Sequence, residues 1–91
     1  MIKSVKGKEA EKIYNGLRSA KLPGNIQDTA RRRLKYLNNA VNLEDLRVPP
    51  SNHFEALNSR SGVYSIRINI QWRITFTWND GAENVRIEDY R

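Results

Sequence analysis

Gly62-Val63-Tyr64-Ser65-Ile66-Arg67-Ile68-Asn69-Ile70-Gln71-Trp72-Arg73-Ile74-Thr75-Phe76-Thr77-Trp78 is the stretch that decides the fold. Polar and apolar residues alternate along it, and alternation resumes from Val85 to Arg91 after an Asn79-Asp80-Gly81 turn. A period of two specifies strands with one buried face. Parity then sets the register, because residues opposite one another across antiparallel strands share a face. Tyr64, Ile66 and Ile68 must lie on the side of Trp72, Ile74 and Phe76. An odd loop, Asn69-Ile70-Gln71, achieves this and sets Ile66 opposite Ile74 and Arg67 opposite Arg73.

The following hairpin needs an even loop, because Ile74 and Phe76 must share a face with Ile87 and Val85. A four-residue turn, Asn79 to Ala82, meets that need and carries the Asn-Asp-Gly signal. Phe76 is then predicted to meet Val85, Ile74 to meet Ile87, and Arg73 to face Glu88. Continuing the register brings Tyr90 onto the face of Arg67 and Arg73. Asp89 and Arg91 take the other parity, near Trp72.

The polar face therefore carries a row, Arg67-Arg73-Glu88, in which like charges directly opposite cost up to about 1 kcal/mol. One reading is a structural ladder of ion pairs in which Glu88 offsets that repulsion. The other starts from the excess of guanidinium: Arg60, Arg67, Arg73, Arg86 and Arg91 come from this region, against Glu83, Glu88 and Asp89 outside the turn. Planar guanidinium binds phosphate through paired hydrogen bonds. Trp72, Trp78 and Tyr64 have apolar parity and belong to the core. Tyr90, on the polar face near the end, either reaches a ligand or caps the packing.

Upstream, Ile2 to Val5 reads as a short strand, and Lys8 to Leu17 as a helix with Ala10, Ile13, Tyr14 and Leu17 along one side. After Pro23-Gly24, Asn25 is the expected N-cap of a second helix, with Asp28 three residues on. Ile26, Ala30, Leu34, Leu37 and Val41 form its apolar stripe. Arg31, Arg32 and Lys35 fall off that stripe, with Arg33 near its edge, and serve either to solvate the helix or to contact RNA. Leu43 to Leu46 is a further helical turn before Val48-Pro49-Pro50 turns a corner. This order predicts an α+β fold, with two N-terminal helices on one face of a curved, mainly antiparallel sheet.

The 91 residues make one domain, residues 1–91, whose thin core leaves a functional site to the sheet surface. A net charge of +6 and a pI near 10.0 favour an anionic partner. With no cysteine and His53 as the single histidine, neither a disulfide framework nor a conventional zinc site is expected. No apolar stretch approaches a membrane span and the amino terminus lacks a secretory core, so the expected location is the cytoplasm.

Leu46-Arg47-Val48-Pro49-Pro50-Ser51-Asn52, Phe54-Glu55-Ala56-Leu57, Gly62 with Ser65-Ile66-Arg67, Gln71-Trp72-Arg73-Ile74 and Glu88-Asp89-Tyr90 resemble, in order and spacing, the HigB-like plasmid maintenance killer toxins of the RelE superfamily. The resemblance covers essentially the whole chain. It implies a RelE-like compact fold and a toxin that cuts messenger RNA in the ribosomal A site. Neither metal nor cofactor is implied. The implied partners are a HigA-like helix-turn-helix antitoxin, messenger RNA and ribosomal RNA. Operator DNA would be bound only through the antitoxin, and no membrane is involved. The chemistry implied is attack by the ribose 2′-hydroxyl on the adjacent phosphorus.

On that resemblance Arg73 holds the scissile phosphate with Arg67 beside it, Asp89 positions or accepts a proton, and Tyr90 orients the nucleotide. Arg60, Arg31, Arg32 and Lys35 are the further RNA-binding candidates. The chain departs from the family pattern in ending on Arg91, where some relatives carry an acid-base histidine. An arginine is a poor proton donor. His53, where many relatives carry arginine, is either a substitute proton donor, a phosphate contact or structural. Asn58-Ser59-Arg60 is a shortened form of the family's Leu-Lys-Gly-Asp-Arg loop and lacks its lysine. These departures keep open an alternative, a non-catalytic basic module that binds RNA or the ribosome and blocks translation without cleavage.

Overall fold

A computed structural model describes residues 1–90; Arg91 lies outside the described residues. Helix α1 (Lys8–Tyr14) and helix α2 (Gly24–Asn39) precede strands β1 (Glu55–Ala56), β2 (Val63–Arg67), β3 (Trp72–Trp78) and β4 (Ala82–Asp89). The strands form one four-stranded antiparallel sheet in the order β1-β2-β3-β4. The extended amino-terminal segment adds a parallel edge to β4, bridging Ile2 to Ala82 and Val5 to Val85. The architecture is α+β, with both helices on the apolar face, as the alternation requires.

Period-3.6 apolar residues give α2 its buried side: Ile26, Ala30, Leu34 and Leu37 pack on Ile66, Ile74, Phe76 and Val85. Tyr64, Trp72, Trp78 and Ile87 border that cluster, so the aromatic residues of apolar parity are core, as expected. The ends of both helices differ from expectation. Helix α1 stops at Tyr14, which leaves Leu17 exposed, and α2 stops at Asn39, so Val41 stands 80% exposed and Ala40 takes the buried place. Asn25 is not the N-cap: α2 begins at Gly24 behind Pro23, and Asp28 pairs with Arg18 at 3.2 Å. The buried residue that ties the start of α2 together is Gln27. Its carboxamide accepts from Ser19 N at 2.9 Å and donates to the carbonyls of Ser19 and Leu22 at 2.8 and 3.0 Å.

The first hairpin has the predicted register, Ile66 opposite Ile74 and Arg67 opposite Arg73. The second corrects the expectation while preserving its outcome. Trp78 pairs with Ala82, so the turn is Asn79-Asp80-Gly81 rather than Asn79 to Ala82. An odd turn would flip the faces, but a bulge between Thr75 and Thr77 restores them: Thr77 pairs with Glu83 and Thr75 with Arg86. Phe76 therefore faces Asn84 and Val85 together instead of Val85 alone. Asn84 is the inserted residue, at φ 55, a left-handed conformation that asparagine tolerates. Gly81 at φ 145 lies so close to the amino-terminal strand that an added Cβ would stand 2.8 Å from Met1 O.

Past α2, the Asp45 carboxylate accepts the backbone N–H groups of Val41 and Asn42 at 2.8 and 3.2 Å, which starts the predicted turn at Leu43. The chain then passes a cis Val48-Pro49 bond to a short turn, Pro50–Asn52. Buried Asn52 secures this corner by donating to Leu46 O at 3.1 Å. His53 follows in the left-handed conformation, φ 44, and delivers the chain into β1.

Candidate active site on the uncovered face

With the helices packed on the apolar side, the opposite face of β2, β3 and β4 carries the polar side chains of the sheet. Arg73 sits at its centre, 8% exposed. Its Nη1 donates to Ser65 Oγ at 2.9 Å, its Nη2 lies 3.1 Å from Glu55 Oε1, and its guanidinium carbon stands 5.2 Å from the centroid of the Tyr90 ring. Strands β1 and β2 and the residue that follows β4 thus hold one guanidinium. The Arg73–Glu88 ion pair of the ladder reading is absent among the described residues, although the two residues are opposite one another. Strand β1, too short for period-two patterning to announce, places Glu55 across Ser65, from where its carboxylate reaches Arg73.

Glu88 is engaged elsewhere. Its Oε2 accepts from Thr75 Oγ1 and pairs with Arg60 Nη1 at 3.0 Å. Burial alone would raise its pKa, but the hydrogen bonds from Thr75 and Arg60 and the charges of Arg60 and Arg86 outweigh burial and hold it below the ordinary value of 4.5. A lowered folded-state pKa contributes stability that is present above the unfolded value and is lost as pH falls through the folded one. Melting temperature should therefore fall on acidification below about pH 4.5, and Glu88→Gln should flatten that acid limb in a circular-dichroism series from neutral to acid.

Arg67 faces Arg73 across the strands, is half-buried, and has no hydrogen-bond partner for its buried Nε. Arg33 Nε donates to the Arg67 carbonyl at 3.0 Å, tying α2 to the end of β2. Asp89 is opposite Trp72, as parity requires, and accepts from Gln71 Nε2 at 3.0 Å. Tyr90 N donates to Gln71 O at 2.6 Å, and this bond sets its ring beside Arg73. His53 is exposed, two residues before Glu55.

The site therefore gathers Arg73, Tyr90, Arg67 and Arg60, whereas Asp89 takes the other parity opposite Trp72 and meets Gln71. Arg31, Arg32 and Lys35 do not join it. They are exposed on α2, on the other side of the sheet, where Arg31 borders a small depression shared with Gly16 and Arg18. Arg91 is outside the described residues. Glu55, Ser65 and Thr75 are the site residues that sequence reasoning missed. Ser65 and Thr75 share the parity of Arg73, which was the available signal.

Beside Arg73 the uncovered face opens into a groove of about 190 Å³, lined by Lys6, Arg60, Thr75, Thr77, Arg86 and Glu88 among others. Cations outnumber the single acid among these side chains, and the acid is already paired. A buried guanidinium, an aromatic ring and a positive groove thus lie on one face, an arrangement whose chemistry suits an anionic ligand.

The model of the HigB-like toxins, RelE-like toxins of type II toxin-antitoxin systems, matches residues 3–90, and the chain belongs to that family. Toxin HigB-1 of Vibrio cholerae serotype O1 is 39% identical over 79 residues, which is 85% of this chain and 83% of that relative. An uncharacterized protein of Haemophilus influenzae is 35% identical over 66 residues, 71% of this chain and 65% of its own length. Membership of a type II system implies an antitoxin partner. No helix among the described residues is long and apolar enough to cross a membrane.

Proposed function

We propose that this protein is a ribosome-dependent endoribonuclease, a toxin that enters the ribosomal A site and cuts messenger RNA without a metal ion. The observation that carries this reading is the guanidinium of Arg73, held by Ser65, Glu55 and Tyr90 on the face the helices leave uncovered. The partners in this reading are messenger RNA, ribosomal RNA and a HigA-like helix-turn-helix antitoxin through which alone operator DNA is bound. Its place of action is the cytoplasm, where translation runs.

In the proposed reaction the ribose 2′-oxygen attacks the adjacent phosphorus and loses its proton, the bond from phosphorus to the 5′-oxygen breaks, and that oxygen gains a proton. The products are a 2′,3′-cyclic phosphate and a 5′-hydroxyl. Arg73 stabilises the charge that develops on the non-bridging oxygens, with Arg67 and Arg60 adding to the local field. Asp89 positions or accepts the 2′-proton, and the Tyr90 ring orients the nucleotide. His53, the one imidazole of the chain, is in this reading either the donor that protonates the leaving oxygen or a phosphate contact.

The test is addition of the purified protein to a translating extract, followed by mapping of the message ends. Fragments ending in 2′,3′-cyclic phosphate and beginning in 5′-hydroxyl are the expected result. Intact message in an arrested extract would reassign the protein as a ribosome-binding module that blocks translation without cutting.

A further inference from the structure

We propose that the end of the groove farthest from Tyr90 is a second phosphate subsite, in which Lys6 and Arg86 bind the RNA phosphate next to the one held at Arg73. The inference deepens the RNA reading and rests on it.

Strand geometry supplies the spacing. Arg73 pairs with Glu88 and Thr75 with Arg86, so the two rows lie two residues apart on the same face, about 7 Å along the strands. That interval matches the step between neighbouring phosphates of an extended single strand. An RNA laid along β3 with one phosphate at Arg73 thus brings the next one to Arg86.

Charge supplies the demand. Neither Lys6 nor Arg86 forms an ion pair among the described residues, whereas Arg60 is committed to Glu88 and Arg73 to Glu55. The acid that lines the groove, Glu88, is itself satisfied by Arg60 and Thr75. Lys6, Arg60 and Arg86 share the single charge of Glu88, so the groove keeps a net positive charge that a phosphate with two free oxygens relieves.

The fold supplies the walls. The bulge at Asn84 sets the edge of the groove, with Asn84 Nδ2 donating to Thr77 Oγ1 at 3.1 Å and Asn84 N to Ser4 Oγ at 2.8 Å. Lys6 arrives from the amino-terminal strand, fixed by its N–H donating to Val85 O at 2.8 Å. Two segments distant in sequence are thereby held so that their free charges face one depression.

The experiment is fluorescence-anisotropy titration of the full chain with a 2′-O-methyl single-stranded RNA oligonucleotide, which keeps every phosphate but has no 2′-hydroxyl to react. Affinity is measured across a salt series for the wild type, Lys6→Ala/Arg86→Ala, Arg86→Lys, and Lys21→Ala as an exposed-lysine control, with melting curves for each. A phosphate contact on a single strand contributes about 0.7 to the slope of log affinity against log salt. The double variant should lose about that much slope, with Arg86→Lys and Lys21→Ala close to wild type. A double-variant slope equal to that of the wild type, an equal loss in Lys21→Ala, or no binding by the wild type at low salt overturns the proposal. If the double variant loses slope while the wild type leaves translated message intact, the subsite stands and the nuclease reading falls. If message is cut and the slope is unchanged, the subsite alone falls.

Discussion

Arg73→Ala should lower message cleavage by a factor on the order of 10²–10³, the loss seen when one preorganised donor to a developing oxyanion is removed. The guanidinium donates to Ser65 and pairs with Glu55 from a position that is 8% exposed, so little reorganisation accompanies substrate binding. Removing it also leaves the Ser65 hydroxyl without its donor, a cost of about 1–3 kcal/mol. Folding must therefore be scored beside activity. Arg73→Lys separates the two effects, because an ammonium keeps the charge but not the planar fork that pairs with two phosphate oxygens. The lysine variant should melt closer to wild type than the alanine variant and still cleave poorly in the translating extract. Full cleavage by either variant would remove Arg73 from the mechanism.

Phe76→Ala should be the most damaging core change, costing about 3–5 kcal/mol of folding free energy. The ring is 1% exposed at the middle of β3 and is continued outward by the Tyr64 ring at 6.1 Å and the Phe54 ring 5.7 Å beyond that. At roughly 0.05–0.15 kcal/mol per residue, a domain of this size has about 5–14 kcal/mol in total. The variant would therefore be marginal or unfolded at ambient temperature, which a urea titration followed by tryptophan fluorescence reads directly. Ile70→Ala, at a site 90% exposed in the first hairpin loop, should shift the midpoint by no more than about 0.5 kcal/mol. A similar shift in both variants would mean that the sheet and helices do not share the core described above.

Strand parity made the central architecture legible, because it carries the register from Ile66 to Ile74 to Ile87 without any knowledge of the loops. It was blind to pairs of compensating irregularities. A turn one residue shorter than expected and a bulge at Asn84 cancel, so the faces came out right by a route the alternation did not contain. Helix ends were legible only roughly: Leu17 and Val41 fit the periodicity and lie beyond the last helical turn. In the site, parity brought Arg67, Arg73, Glu88 and Tyr90 to one face. It could not say which carboxylate each arginine would take, because that choice depends on side-chain reach. Glu55 comes from a two-residue strand with no periodic signature, and its arrival at Arg73 frees Glu88 for Arg60 and Thr75.

The Glu55 carboxylate changes the kind of selectivity the site can exercise. A free phosphate ion arriving at Arg73 meets a guanidinium already matched by an acid of the protein's own, so binding is a swap of one anion for another with little net gain. A polymer tethered at a neighbouring contact supplies its next phosphate at a high local concentration and can win that exchange. On the proposed RNA reading, small cellular anions would pass the site by, and chain length itself would be the feature recognised.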